Sequence, residues 1–438
     1  MTLDQVVRTS LGLAGDVVRR TPEAGRYLAR MAVEATRRAE PPSAPIEVRR
    51  ISDDTAFAGL KDEWDGLHRA AGARSPFNCF AWTYGWWMEI GRPRGHELFI
   101  LTARRGERLI GLGAFYLAVE RLGVRVLRNL GDALVGSEYL DVLMEPSLAP
   151  AVASAIIAAI GGASEIDAGE LIDLDADSAF LREIQPHHPG LLALEHAVDE
   201  RLPYLELGGS FAAYAQTLSS NMRYNLKRKD KKLDKAYPGA QLVEIRSEAE
   251  LPDALEVLFR LHAKRWQSKG QSGNFPREVR AFHRRVAPDL LARGRLRLYQ
   301  LRLDDSQIAA TLYCLREGKR ELYLQGGMDP ATEDVSAGFC LMKRVIERCA
   351  DEGLAEFDLL RGTEGYKSHW ASVERSTSVL RFARPTTRGS LWAAGQKLGV
   401  ELRALAGRHL PEDLLARLRA MRKPAAGAQD ADASTSAR

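Results

Sequence analysis

The chain of 438 residues has only four cysteines, Cys79, Cys314, Cys340 and Cys349, and no two of them form a C-x-x-C pair. That spacing argues against a disulfide framework or a cysteine zinc site and fits a reducing compartment. The nine histidines are spread out, so no metal is expected. Long apolar runs are also missing. Asp4, Arg8, Asp16, Arg19 and Arg20 interrupt the stretch where a secretory leader would need its apolar segment, so a cytoplasmic protein is expected. The longest uncharged run, Pro146 to Ser164, is mostly alanine, broken by Pro150, Gly161 and Gly162. It reads as a helix packed on a core rather than a membrane span. Charge of one sign is lacking too: 62 Lys and Arg stand against 58 Asp and Glu. A net +4 is too small to make the whole molecule a polyanion binder. There is no Walker A loop, no G-x-G-x-x-G and no G-x-S-x-G elbow, which removes the common phosphate-loop, dinucleotide and serine-hydrolase readings.

What is present is an ordinary globular composition, 45% apolar and 27% charged, in a chain long enough for two domains plus tails. Residues 1–45 read as a helical extension, with Val6, Leu11, Val17, Tyr27, Leu28 and Val33 among many arginines, closed by Pro41, Pro42 and Pro45. The extension is either a partly ordered tail or a basic element making peripheral membrane or partner contact through residues 1–40. Residues 46–208 and 209–388 form two domains, and 389–438 a helix with a disordered tail from Ala425.

The two domains repeat one order. Strand Ile46–Ile51 is followed by helices through Trp64 and through Trp82, Trp86 and Trp87, whose indoles are expected to pack the core. Strands His96–Ala103, Leu109–Ala118, Val124–Leu130 and Glu138–Met144 come next, then a helix at Ala149–Ile160 and strand Glu170–Leu174. The second domain runs Gln241–Ile245, helices at Leu251–Trp266 and Arg277–Leu291, and strands Leu296–Leu303, Ile308–Leu315 and Glu321–Gly326. A helix at Gly338–Asp351 and strand Glu356–Leu360 complete it. "LFILTARRGERLIGLGAFYL" and "LRLYQLRLDDSQIAATLYCL" are both strand–charged turn–strand units with period-2 alternation. The fold class is α/β with a mixed α+β sheet, built from a tandem duplication.

Three stretches concentrate chemistry. In "EFDLLRGTEGYKSHW" a short strand carrying Asp358 runs into Arg361, Gly362, Glu364, Tyr366 and Lys367, at the strand end where open α/β sheets place ligands. These charges either form a site or pair among themselves, Asp358 with Arg361 and Glu364 with Lys367. In "GGMDPATEDVSAGFC" a strand, a small-residue turn and the helix opening at Ser336, Ala337, Gly338 and Phe339 offer backbone N–H groups to an anion; Ser336 could equally be an ordinary N-cap. The run "NMRYNLKRKDKKLDK", entered by Tyr224, is a solvated basic face or a phosphate contact. Beside these, His262 and Trp266 share a helix face with Arg265 next to them, as a pocket wall or as plain packing.

Taken together, "R-Y-N-L-K-R-K" near Tyr224, "L-H-x-x-R-W" at His262–Trp266 and "F-D-L-L-R-G-x-E-x-Y-K" at Phe357–Lys367 resemble the acetyltransferase-like proteins of bacterial cellulose and exopolysaccharide gene clusters. Those proteins are GNAT-superfamily members related to the Fem-type peptidyltransferases, which also have two GNAT-like units. The resemblance spans roughly residues 46–385 and is strongest over 219–370. It implies tandem GNAT-like units, the first degenerate, and acylation of a small-molecule or saccharide acceptor from acetyl-CoA or another acyl-CoA. The pyrophosphate would lie at Ser336–Phe339 with Lys367. Glu364 would serve as base and Tyr366 as acid, with Asp358 in the catalytic set. Arg361, Gly362, Tyr224, His262, Arg265 and Trp266 would contact substrate. Two other readings stay open: aminoacyl transfer from tRNA, suggested by the basic run, and a non-catalytic scaffold in a polysaccharide-synthesis complex, suggested by the missing Tyr-Lys cluster after "ELIDLD" in the first domain.

Overall fold

The computed structural model describes residues 44–184, 191–270, 273, 275–304, 307–362, 365–371 and 373–409. The N-terminal extension at 1–40, the pair His187–His188 and the tail from Ala425 lie outside the described residues. Met1–Glu47 with Arg105–Glu107 forms one unit of the chain, and Val48–Arg104 with Arg108–Arg438 forms the larger one, which holds the features below.

The first repeat begins with β1 (Glu47–Ile51), α1 (Asp54–Gly59), α2 (Lys61–Ala70) and α3 (Phe80–Trp86). It continues through β2 (Glu97–Arg105), β3 (Arg108–Val119), β4 (Arg125–Asn129), β5 (Leu143–Met144), α4 (Ala149–Gly162), β6 (Ala168–Asp175), α5 (Ala179–Glu183) and β7 (Leu192–Glu206). Two helices, α6 (Phe211–Thr217) and α7 (Ser220–Ala236), lead to the second repeat. That repeat starts with β8 (Gln241–Ile245), α8 (Leu251–Gln267), α9 (Arg277–Ala292), β9 (Leu296–Arg302), β10 (Ile308–Glu317) and β11 (Arg320–Met328). It ends with α10 (Ala337–Asp351), β12 (Glu356–Asp358), α11 (Lys367–Trp370), β13 (Val373–Ala383) and α12 (Thr387–His409).

All the strands join one sheet in the order β1-β2-β3-β4-β6-β13-β7-β12-β11-β10-β9-β8, with β5 beside β3. Each repeat supplies an antiparallel meander and then a helical crossover to a parallel partner, β4 to β6 and β11 to β12. The closing strands are exchanged. β7, which ends the first repeat, pairs with β12 of the second, and β13, which ends the second, pairs with β6 of the first. β7 and β13 then pair with each other. The chain division at residue 208 is therefore a division of sequence and not of sheet.

Strands covered on both faces lose the apolar–polar alternation of a half-exposed strand. Along β10, Tyr313 and Leu315 join one cluster, with the tryptophans and α8–α9, whereas Ala310, Leu312 and Cys314 join the other, with α7 and α10. Trp64, Trp82, Trp86 and Trp87 are all buried, as expected. Trp64 and Trp82 donate their indole N–H groups to Asn78 O (2.9 Å) and Ser137 Oγ (2.7 Å).

Two expected strands need correction. The strand expected at Glu138–Met144 is regular only at Leu143–Met144, because Glu138 and Tyr139 turn inward to polar partners described below. The strand expected at Glu356–Leu360 stops at Asp358. β7 and β13 were not anticipated: each mixes charged and apolar residues, and what selects their pairing lies in the other repeat.

The second repeat also requires glycine at one tight crossing. A Cβ on Gly327 of β11 would lie 2.5 Å from His262 N and 2.8 Å from Leu261 C, both backbone atoms of α8. Helix and strand can meet this closely only because the side chain is missing. Gly327→Ala should destabilise the fold by about 1–3 kcal/mol, read from denaturant midpoints at constant m-value.

Candidate functional site

Two parallel strands that start together and then part leave a gap in a sheet. β12 pairs with β11 only through Arg320↔Glu356, Glu321↔Phe357 and Leu322↔Asp358. β11 continues from Tyr323 to Met328 beside β10, while the chain after Asp358 turns toward β7, with Leu359 N bonded to Pro203 O at 3.0 Å. Beyond Leu322 no described strand pairs with that edge of β11, so its backbone groups can receive an extended polar chain. The first repeat has the same start, Val126↔Ala168 and Leu127↔Gly169, but fills its own gap. Asn129 Nδ2 donates to Ile172 O (3.0 Å), and Leu140 bridges into β6 through Leu140 N to Asp173 O (2.8 Å) and Asp175 N to Leu140 O (3.1 Å).

The N-terminus of α10 lies just past the end of β11. Ser336 precedes it at φ 55°, ψ 43°, a left-handed conformation, and its side chain makes no capping bond. The first-turn amides of Ala337, Gly338 and Phe339 are thus left to something other than a side-chain cap. The ordinary N-cap role considered for Ser336 is corrected. Lys229 of α7 lies 4.3 Å over the Phe339 ring, and Lys232 donates to Asp334 O in the same turn. Asp230, by contrast, is taken up by Lys343 (2.9 Å) and Arg344 (3.2 Å) of α10. Phe339 packs on Trp370 at 5.1 Å, and half-buried Tyr366 joins the same cluster.

At the end of β12 lies a knot of buried charge drawn from both repeats. Asp358 is 0% exposed; it accepts from Tyr139 Oη (2.7 Å) and Leu360 N (2.8 Å), with Arg375 Nη1 at 3.8 Å. Burial raises its carboxyl pKa, opposed by the Tyr139 bond and Arg375. Asp358 is therefore corrected from catalytic group to frame, since both of its oxygens are already taken, Oδ2 by Tyr139 Oη and Oδ1 by Leu360 N. Arg361 does not pair with it. Its backbone N and Nε both donate to Glu138 Oε1 at 2.8 Å, and Nη2 reaches Asp173. Burial works against the guanidinium charge, but Asp173 and Glu138 more than offset it. Glu138 is 1% exposed, and burial pushes its carboxyl up to about 8 against the pull of Arg361. Lys367, assigned to coenzyme, is buried and donates to Leu360 O and Arg361 O. Its ammonium holds the turn, a second correction. Gly362 turns the chain at φ 138°, which L side chains rarely adopt.

Three non-glycine residues of this knot, Tyr139, Asp173 and Leu360, have positive φ (54°, 57° and 52°). Such conformations persist only where surrounding contacts enforce them, and they gather at functional sites. Glu364 lies outside the described residues. His262 is buried on the other face of the sheet. Its Nδ1–H donates to Gly326 O (3.0 Å), and its ring packs on Trp266 and Phe275. Burial lowers its pKa to about 4, so it is neutral. Arg265 and Trp266 are half-buried on the same helix, and Tyr224 is 63% exposed on α7. The residues singled out from sequence are therefore not one constellation. Glu138, Tyr139 and Asp173 went unrecognised; the acidic and aromatic pair inside a supposed strand was the available signal. Among the described residues, no group of three or more His, Cys, Asp or Glu could hold a metal, and no helix is long and apolar enough to cross a membrane.

Residues 220–368, about a third of the chain, match the family model described as an acetyltransferase (GNAT) domain. That part of the chain is thus similar to a GNAT domain. The fold is that of the crystal structure of FemX: TM-score 0.51 at 10% identity, covering 76% of this chain and 96% of that one. A conserved protein of unknown function from Bacteroides thetaiotaomicron (11% identity, 77% and 100% covered, TM-score 0.48) and L-PGS from Bacillus licheniformis (9%, 78% and 95%, 0.47) are also similar. No curated protein sequence matches.

The raised Glu138 pKa has a thermodynamic signature. Below the ordinary value of 4.5 both folded and unfolded states carry the proton. Between there and about 8 the folded state binds more protons, so stability falls as pH rises through that window. Asp141 and Glu321, each raised to about 7 by burial, act in the same sense but finish earlier. The thermal midpoint should therefore drop between pH 6.5 and 8, and Glu138→Gln should flatten the upper part of that drop.

Proposed function

We propose that the chain is an acyltransferase that moves an acyl group from acyl-CoA to an amine or hydroxyl of a small-molecule or saccharide acceptor, working in the second repeat. The observation that carries this reading is the parting of β11 from β12 beside an uncapped helix N-terminus, within the part of the chain that matches the acetyltransferase model. The residues present fit a pantetheine-linked diphosphate. The open edge of β11 offers amide and carbonyl groups to an extended chain, and the α10 amides with the helix dipole favour a diphosphate. Lys229 and Lys232 add cations at that turn. Acyl-CoA supplies an activated thioester. Tyr366, half-buried near Phe339 and Trp370, is suited to protonate the leaving sulfur. Exopolysaccharide or cellulose production as the setting rests on the resemblance of the Phe357–Lys367 motif alone.

A second reading, acyl transfer from aminoacyl-tRNA, is favoured by one feature. Tyr224, Lys227, Arg228, Lys231 and Lys235 are exposed at helical spacing along α7. Steep salt dependence of RNA retention would support it.

Calorimetric titration with acetyl-CoA and free CoA separates the two. Saturable binding to the native protein, lost in the Ser336→Glu/Gly338→Glu double variant, is expected for the acyl-CoA reading. Absence of binding to the native protein, with RNA retained at low salt, would transfer the assignment to the tRNA-dependent one.

A further inference from the structure

We propose that Glu138, a residue of the first repeat, takes the proton from the acceptor during acyl transfer in the second. The proposal rests on the acyl-CoA reading above.

Glu138 Oε1 holds the backbone N and Nε of Arg361, the third residue past the end of β12, where that strand has already left β11. The carboxylate therefore stands at the border of the gap, brought there by the irregular segment that seals the first repeat's own gap at Leu140.

Glu138 Oε2 is buried and has no hydrogen-bond partner among the described residues. Leaving a buried carboxyl oxygen unsatisfied costs about 1–3 kcal/mol, so it needs a reason. A proton arriving from a bound amine or hydroxyl supplies one. Because Oε1 alone carries Arg361, Oε2 can gain and lose a proton while the Arg361 anchor stays in place.

Tyr139, next to Glu138, and Asp173 and Leu360, which flank the Arg361 anchor, are held at positive φ. Charged or titratable groups around Glu138 are Arg361 and Asp173 in direct range, Tyr139 beside it, and Asp358 with Arg375 behind Tyr139. Asp358 fixes the Tyr139 hydroxyl through Oδ2 and accepts from Leu360 N through Oδ1, so it has no oxygen left for this work.

The acceptor N–H or O–H proton passes to Glu138 Oε2, and the freed lone pair forms the new bond to the thioester carbonyl carbon. The carbon–sulfur bond breaks, and the sulfur leaves with its electron pair and takes a proton from Tyr366 or water, giving free CoA. Glu138 then returns its proton to solvent, and Tyr366, where it was the donor, takes one back from solvent. Its carboxyl, raised to about 8 by burial, is a stronger base than an ordinary carboxylate and becomes competent as pH rises through that value.

The test uses acetyl-CoA with hydroxylamine, a small nucleophile, as probe acceptor, and follows thiol release and binding separately in the full chain. In the native protein, catalysed release should rise with pH to a plateau above about 8. Glu138→Gln should lower it by about 100-fold or more, as expected for loss of a general base. It should leave calorimetric acetyl-CoA affinity unchanged and abolish the rising limb, while Glu138→Asp restores part of the rate. Infrared difference spectra should show a protonated carboxyl band that ionises near pH 8 in the native protein and is missing from Glu138→Gln. A native profile with no limb near 8, or a folded Glu138→Gln protein that keeps its rate, would overturn the proposal while the acyl-CoA reading stands. So would a loss confined to Glu364→Gln. Native protein that fails to bind acetyl-CoA would overturn both. Should Glu138→Gln not fold, the native pH profile and infrared titration still decide.

Discussion

Strand exchange constrains everything else in the molecule. β6 and β12 each end a parallel pair, and each needs a further strand along its other edge. By sending β7 to β12 and β13 to β6, the chain covers both edges with strands from the opposite repeat. The two halves are therefore fixed against each other by backbone hydrogen bonds rather than by side-chain contact alone. That rigidity is what allows residues distant in sequence, such as Glu138 and Arg361, to meet with hydrogen-bond precision.

Buried charge is expensive unless paired and bonded. Around the end of β12, two carboxylates of the first repeat hold one guanidinium of the second, while Tyr139 of the first caps Asp358 of the second. Each bond crosses between repeats, so the knot forms only when both are folded and docked. The first repeat is thus more than a spacer. Its own gap is sealed, and the segment that seals it reaches into the neighbouring site.

Much of this was legible in the sequence, for reasons that can be named. The meanders and crossover helices follow from alternation, helical periodicity and charged turns, which are local signals. The turn at Phe357–Lys367 could be recognised because acid, base, glycine and phenol sit together in one short segment. β7 and β13 escaped because their pairing is set by a partner more than a hundred residues away. Glu138 and Tyr139 escaped because an inward-facing polar pair in an apolar setting looks like a strand's solvent side. In sequence Lys367 looked like a coenzyme contact and Asp358 like a catalytic group, since burial cannot be read from a motif; their bonds to backbone and to Tyr139 give them structural work instead.

Exchange also has a consequence for synthesis. β7 is complete at Glu206, but the residue it faces there, Glu356, is made about 150 residues later. At about 5–20 residues per second, the nascent first half waits roughly 8–30 s with β6 and β7 lacking their final neighbours. The closing pairs can therefore form only after translation has passed Glu356 and Thr377.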